Sequence, residues 1–382
     1  MAREAASNPF QFGALALDEA FTDREEEIRE LKADVLNGQD VALFAPRRYG
    51  KSSLVWRVMQ ELITDKVLVA QVDLMSTPTR AKLAEKLAET IHEHVASALV
   101  RARDRLRVFQ GLRVRPTVTV DPDTGAVGFT FEAGREPEDI DATLERLLAL
   151  PAELGAERGR RVALVLDEFQ EIVDIDARLP KLMRAVFQQQ PEVAHVYLGS
   201  KRHMMERIFN DENEPFWRSA KRMELDLIGA EAFRDFLVER FAGTNKRMPP
   251  GLADAVLAIT RGHPYATQEL AYFLWEETPR RGAANEDRLD GALAKVLRSE
   301  HAHFSLVWDR ASPAQRLVLQ ALARQPGRPL SREYARRHGL PGPSSVQRAL
   351  GALTRAELVG RSGAGTAIAE PFLAEWIQRN EA

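Results

Sequence analysis

Val41-Ala-Leu-Phe-Ala-Pro-Arg-Arg-Tyr-Gly-Lys-Ser-Ser-Leu54 decides how the rest of the chain is read. Its four leading apolar residues predict a buried strand. Pro46 to Tyr49 predict a tight loop, and Gly50-Lys51-Ser52 predicts the opening of a helix. Strand, glycine-containing turn, lysine and then a hydroxyl residue on the first helical turn is the order of parts in a phosphate-binding loop. Each part answers a need of a polyphosphate. Backbone N–H groups and the positive end of the helix dipole face the anion. Lys51 adds a mobile charge, and the hydroxyl of Ser52 can hold Mg²⁺. The stretch departs from G-x-x-x-x-G-K-[ST] at its first glycine, where Ala45 stands.

A second signal lies 116 residues after Lys51. Arg161-Val-Ala-Leu-Val-Leu-Asp-Glu168 predicts a strand buried on both faces and ending in two carboxylates. Ligands of open α/β sheets bind beyond the carboxyl ends of the strands. Asp167 is therefore a candidate Mg²⁺ ligand, and Glu168 a candidate base that orients an attacking water. Either motif is common by chance, but both occur here on the expected elements in the expected order.

Between and around these strands, the pattern is that of an α/β domain with a mainly parallel sheet. Val67–Leu74, His195–Ser200 and Met223–Leu227 predict further strands. Asp23 is a candidate cap for a helix carrying Ile28, Leu31 and Val35. Leu54, Val58 and Leu62 predict the buried face of the helix after the loop, and Leu83, Leu87, Ile91, Val95 and Leu99 predict a long amphipathic helix. Such a stripe reads as core packing. Residues 113–132 switch to period two around Asp-Pro-Asp-Thr-Gly125, which predicts a β-hairpin insertion that packs on the body or else serves as an interaction element. After Gly229 the strands stop. Residues 230–241, 251–260, 264–277 and 286–300 predict helices, punctuated by Pro249-Pro250, Gly262-His-Pro264 and Pro279.

The bulk numbers set limits. A chain of 382 residues predicts two or three domains, here 1–228, 229–305 and 306–382. With 45% hydrophobic and 29% charged residues it has ample core for a globular protein. Zero cysteines exclude disulfides and thiolate metal sites. No apolar run approaches the ~20 residues of a membrane span, and the N-terminal residues do not resemble a signal peptide. A cytoplasmic protein is expected. The net charge of −3 is unevenly spread: Ala311–Ala382 holds ten Arg, no Lys, no Asp and five Glu, a balance of +5, which leaves −8 for the remainder. A basic tail on an acidic body points to an anionic partner, or else to a solvated arginine-rich surface.

That tail has its own pattern. Ala314–Leu322 and Ser331–His338 predict two short helices, and Ser344-Ser-Val-Gln347 fits a capping box opening a third. Val346, Leu350 and Leu353 fall on its core side; Ser345, Gln347, Arg348 and Arg355 fall near the opposite side. Leu358–Ile368 predicts a two-stranded wing with Arg361 on it. A third helix of this kind can enter a DNA major groove, although winged helices also pack on proteins.

Phe21-Thr-Asp-Arg-Glu25, Phe44–Leu54, Leu164-Val-Leu-Asp-Glu-Phe-Gln170, Leu198-Gly-Ser200, Gly262-His-Pro264 and Glu370-Pro-Phe-Leu-Ala-Glu-Trp376 together resemble the archaeal-type ATPase family. That family is related to the AAA+ and STAND groups of P-loop ATPases, and the resemblance covers nearly the whole chain. Members tolerate a residue other than glycine where Ala45 stands. The resemblance implies an AAA+-like parallel core, a helical lid and a C-terminal winged helix-turn-helix. It implies that ATP with Mg²⁺ is bound by Pro46, Arg47, Arg48, Tyr49, Gly50, Lys51, Ser52 and Ser53, and that His263-Pro264 lies near base and sugar. It implies that Ser200 or Lys201 takes the sensor position, and that an arginine such as Arg218 or Arg222 contacts phosphate in cis or across a homo-oligomer interface. The bland readings stand beside these. Ser200 ends a strand, Arg218 or Arg222 pairs with Glu214 or Glu224, and Pro264 simply opens a helix. The expected function is a nucleotide-gated switch on double-stranded DNA or a protein partner, with hydrolysis by water. A slowly turning-over signalling scaffold whose winged helix binds protein is the alternative, and a nucleotide kinase ranks last.

Overall fold

The computed structural model describes residues 7–13, 20–96, 108–109, 111–121, 126–131 and 137–381. Leu99 and the hairpin turn 122–125 lie outside them. The described chain forms two units, one of residues 25–47 and 54–225, the other of 1–24, 48–53 and 226–382.

The first unit is built on a five-stranded parallel sheet. Its strands are β1 (Val41–Phe44), β2 (Leu68–Asp73), β5 (Val162–Asp167), β6 (Val193–Gly199) and β7 (Lys221–Glu224), in the order β2-β5-β6-β1-β7. The central strands are the continuous apolar runs, as burial on both faces requires: every residue of β1 and β6 is buried. In register, Phe44 stands beside Gly199, and Asp73 beside Asp167, so the carboxyl ends of β1, β5 and β6 share one edge. The last strand is Lys221–Glu224, three residues shorter at its far end than the expected Met223–Leu227 and starting two earlier. Only Met223 of it is buried. An outer strand with Lys221, Arg222 and Glu224 exposed resists edge-to-edge pairing, and that polarity hides it from a hydrophobicity reading.

Around the sheet, Phe169, Tyr197, Phe209 and Phe216 pack ring on ring, with Phe169 and Tyr197 4.6 Å apart. Leu83, Leu87, Ile91 and Val95 are all buried, as the stripe requires. The helix Arg80–Thr90, capped by Thr79, changes at Ile91–Ala96 to the wider π-helical pitch. The insertion is a hairpin of β3 (Thr117–Val120) and β4 (Val127–Thr130), with Phe129 buried against Phe109 and all of β3 exposed. Asp23 and Arg24, which precede the helix Glu25–Leu36, both take positive φ (57° and 80°).

In the second unit, helices Ala230–Gly243, Pro250–Thr260, Pro264–Glu277 and Glu286–Arg310 surround Phe233, Leu237, Phe241, Leu270 and Leu274. Phe10 of the entry segment inserts among them against Phe236 and Phe241. The last of these helices runs unbroken for 25 residues, from the Asn285 cap through 305/306 to Arg310, and carries Phe304 and Trp308 to Trp376. Three helices follow, Pro313–Arg324, Arg332–Arg337 and Pro343–Arg355. Then come β8 (Val359–Ser362) and β9 (Gly365–Ile368), an antiparallel pair, and the helix Pro371–Asn380. This is a winged helix. The capping box lies at Ser312 and Gln315. It does not lie at Ser344 and Gln347, because Pro343 starts the third helix a residue earlier and Gly342 occupies the cap. Leu350 is partly buried against the core rather than fully inside it.

Candidate nucleotide site

The loop begins where β1 ends. Ala45 is buried, and its N–H donates to the Gly199 carbonyl at 3.3 Å, so the chain stays paired to β6 one residue past the strand. Ala45 is not among the residues at positive φ; this backbone therefore has no need of glycine at the motif's first position. The turn is made later, at Arg48 (φ 66°) and Gly50 (φ 82°). A Cβ on Gly50 would meet nothing within 4 Å, so its glycine answers a conformational need rather than a steric one. Lys51 then starts the helix Lys51–Thr64, which Leu54, Val58 and Leu62 anchor in the core. Lys51 and Ser53 are buried and Ser52 is partly so. Pro46, Arg47, Arg48 and Tyr49 are half-buried or exposed.

At the same sheet edge β5 ends in Asp167. Its carboxylate accepts from the Glu168 N–H at 2.9 Å, and Glu168 takes the left-handed conformation (φ 50°, ψ 47°) that turns the chain off the strand. Such a conformation is costly for a glutamate. It is held in place by what the side chain does: Glu168 Oε2 accepts from Ser200 Oγ at 2.7 Å and from Gln170 Nε2 at 2.5 Å. Gln170 is fully buried and also donates to Glu171 at 3.3 Å. Lys201 Nζ pairs with Glu171 at 2.8 Å. The structure thus brings Asp167, Glu168, Ser200 and Lys201 together, linked by Gln170 and Glu171. Those last two residues were not singled out from sequence as site residues, although Gln170 stands within Asp-Glu-Phe-Gln.

Arg218 and Arg222 are elsewhere occupied. Arg218, at φ 51°, lies over the exposed ring of Trp217 at 5.0 Å. Arg222 faces Glu224 at 3.6 Å and the Phe44 ring at 5.4 Å. Glu214 pairs with Arg207 instead.

In the second unit, His263 caps the helix Pro264–Glu277: its Nδ1 accepts from Ala266 N–H at 3.3 Å. Burial lowers its pKa to about 4, with help from the Arg48 charge, so the ring is neutral and Nδ1 is free to accept. Gly262 before it needs its φ of 71°, and a Cβ there would meet the Ile228 carbonyl at 2.8 Å. Tyr49 of the loop meets His263 edge to face at 5.0 Å. Burial also raises the Tyr49 phenol, with Asp226 and Glu370 adding to it. The Arg48 guanidinium lies 4.3 Å over the Tyr265 ring and 3.6 Å from Glu370.

Ser52 and Asp167 each offer the kind of oxygen donor that Mg²⁺ takes. On the winged helix, Gln347, Arg348, Arg355 and Arg361 are exposed and Ser345 is half-buried. Arg348 donates to the Ser344 carbonyl at 3.4 Å. Among the described residues no helix is long and apolar enough to cross a membrane.

Two families match this chain. One, described as "ATPase domain predominantly from Archaea", covers residues 21–270. The other, described as "Probable winged helix domain", covers residues 302–379. No curated protein matches significantly. Among solved structures, a Walker-type ATPase of Pyrococcus abyssi superposes with a TM-score of 0.65 at 18% identity, over 95% of this chain and 97% of that one. The ORC2 protein of Aeropyrum pernix, in its ADPNP–ADP complexes, superposes with a TM-score of 0.55 at 13% identity, over 97% and 98%. At these identities the likeness is one of fold, an α/β core with a parallel sheet followed by a winged helix. With the loop, the Asp-Glu strand end and the matched residues in agreement over more than half its length, the chain belongs to the family of ATPase domains found predominantly in Archaea.

Proposed function

We propose that this protein hydrolyses ATP and uses the nucleotide state to control how its winged helix engages double-stranded DNA. The observation that carries the catalytic half is the Ser200–Glu168 hydrogen bond at the sheet edge from which the phosphate loop departs. A carboxylate fixed by a buried hydroxyl and a buried amide is oriented for one task, accepting a proton from water. Backbone N–H groups from Arg47 to Ser53 bind the phosphates, and Lys51 neutralises the outer ones. Ser52 and Asp167 would hold Mg²⁺, which spreads the charge of the transferring phosphoryl group. Ser200 keeps Glu168 in place. Arg218 and Arg222 are candidates for phosphate contact only after leaving their present partners, whether in this chain or in a second copy.

The DNA half is supported by the exposed Gln347, Arg348 and Arg355 on the third helix and Arg361 on the wing, in a segment with a balance of +5. Such side chains reach phosphates and base edges.

The test has two arms. Glu168→Gln should keep ATP binding and lose phosphate release; full turnover in that variant removes Glu168 from its role. The wild type should bind duplex DNA with an affinity that falls steeply with salt; absence of binding at low salt leaves the winged helix as a protein-docking element.

A further inference from the structure

The closing Glu370-Pro-Phe motif has no part in the function above, yet the structure ties it to the phosphate loop. Glu370 is the cap of the final helix Pro371–Asn380: one carboxylate oxygen accepts from the Phe372 N–H at 3.4 Å. The other lies 3.6 Å from the Arg48 guanidinium. Arg48 sits in the loop at positive φ, with its cation over Tyr265. Behind it are two more carboxylates. Glu269, on the helix Pro264–Glu277, is 2% exposed, and Glu300, on the helix Glu286–Arg310, is half-buried. Tyr49, Tyr265 and the neutral His263 complete the surroundings. Arg48 is the cation that lowers the pKa of Glu269 and Glu370, while burial and the neighbouring carboxylates raise them. Burial and the repulsion of Glu300 and Glu370 push Glu269 up to about 8. Two carboxylates sharing one arginine, with a third beside them, form an arrangement that changes when the arginine is drawn off.

We propose that Glu370 is the counter-ion that nucleotide phosphate displaces from Arg48, so that nucleotide binding takes up a proton into the acidic cluster and loosens the cap of the final helix. Glu370 is then a positioning residue: it sets where Arg48 points and touches no substrate itself. The inference rests on the loop binding nucleotide, and it adds a route from the loop to the winged helix. When phosphate recruits Arg48, Glu269 and Glu370 lose the charge that offset their mutual repulsion, and protonation relieves it. The carboxylate that caps the last helix becomes a weaker acceptor once protonated.

The experiment is isothermal titration of the full chain with Mg²⁺ and ADPNP at pH 8, near where Glu269 titrates, in two buffers of different ionisation enthalpy. At this pH the nucleotide's phosphates are fully ionised, so protons taken up belong to the protein. Wild type should take up a fraction of a proton per nucleotide bound. Glu370→Gln and Glu370→Asn, which both keep a capping oxygen, should bind about 3-fold tighter, the scale of one partly exposed ion pair, and lose most of the uptake. Glu269→Gln should lose uptake as well. Amide exchange over 371–380 should quicken on nucleotide addition in wild type and be equally quick with and without nucleotide in Glu370→Asn. Binding with no proton uptake in wild type overturns this proposal and leaves the ATP-binding reading intact, as does unchanged affinity and uptake in both Glu370 variants. No nucleotide binding by wild type overturns both.

Discussion

Replacing Ser200 by alanine isolates what the sheet edge contributes to hydrolysis. Ser200 is 3% exposed, and its hydroxyl donates to Glu168 Oε2 at 2.7 Å. A hydrogen bond to a charged group is worth about 1.5–3 kcal/mol, and each 1.36 kcal/mol is tenfold in rate. If the whole of it serves to hold Glu168 in its reactive position, Ser200→Ala lowers kcat by about 10- to 100-fold. The phosphate loop is untouched, so the dissociation constant for ATP should change by no more than about 2-fold. Gln170 still donates to the carboxylate, which keeps Glu168 from collapsing and limits the loss in thermal stability. The assay is steady-state phosphate release against ATP concentration, with binding followed separately by titration of ADPNP. Glu168→Gln defines the floor. In that background Ser200→Ala should cost little more, because the two residues act on one step. Ser200→Thr, which keeps the hydroxyl, should recover part of the rate. A Ser200→Ala enzyme with wild-type kcat, or one whose loss adds fully to that of Glu168→Gln, refutes the reasoning and returns Ser200 to a strand-ending residue.

Further outcomes follow from the same geometry. Lys51→Ala should abolish measurable ATP binding, because it removes the buried cation at the helix start; retained binding in titration would contradict the loop assignment. His263 has its pKa lowered in the fold to about 4 from the ordinary 6.5, so the unfolded chain binds more protons between these values. Stability should therefore fall as pH drops through 6.5, by about 2 kcal/mol at pH 5 and about 3 kcal/mol in full. His263→Asn, which keeps a capping acceptor, should flatten that part of the profile in denaturant titrations. Arg348→Ala and Arg361→Ala should each weaken duplex DNA binding and each lower the slope of log affinity against log salt by about 1 if they contact phosphate. An unchanged slope assigns them to the solvated surface.

Much of the fold is legible in the sequence because burial on both faces leaves one composition. Val162–Leu166 and Val41–Phe44 can be little else than central strands, and they are. Leu83, Leu87, Ile91 and Val95 mark their face by spacing alone. Legibility ends where a different force decides. The strand Lys221–Glu224 is set by hydrogen bonds to β1 along an exposed edge, so hydropathy starts it two residues late and ends it three residues late. The Ser344/Gln347 box is pre-empted by Pro343, whose fixed φ suits the first helical position. The helix Glu286–Arg310 continues past its expected end at 300 because Phe304 and Trp308 have a core to enter. The site divides in the same way. Lys51, Ser52, Asp167 and Glu168 announce themselves by order along the chain. Gln170, Glu269 and Tyr265 do not, because their meaning lies in contacts that sequence spacing leaves hidden.

Arg48 shows why such contacts matter for function. In the sequence it is one of two adjacent arginines in the loop, equivalent to Arg47 by type and position. Its positive φ aims it at Tyr265 and Glu370, residues 217 and 322 positions later. The same cation that suits a phosphate thus acts on two carboxylates, Glu269 on the helical lid and Glu370 at the final helix. A fully exposed ion pair contributes little to stability and a buried one would be hard to break; the Arg48 and Glu370 side chains are 47% and 24% exposed. This pair lies between those limits, where the charge of a bound triphosphate suffices to redirect the arginine. Its modest strength is what makes Arg48, rather than the deeply anchored Lys51, the loop residue able to report occupancy.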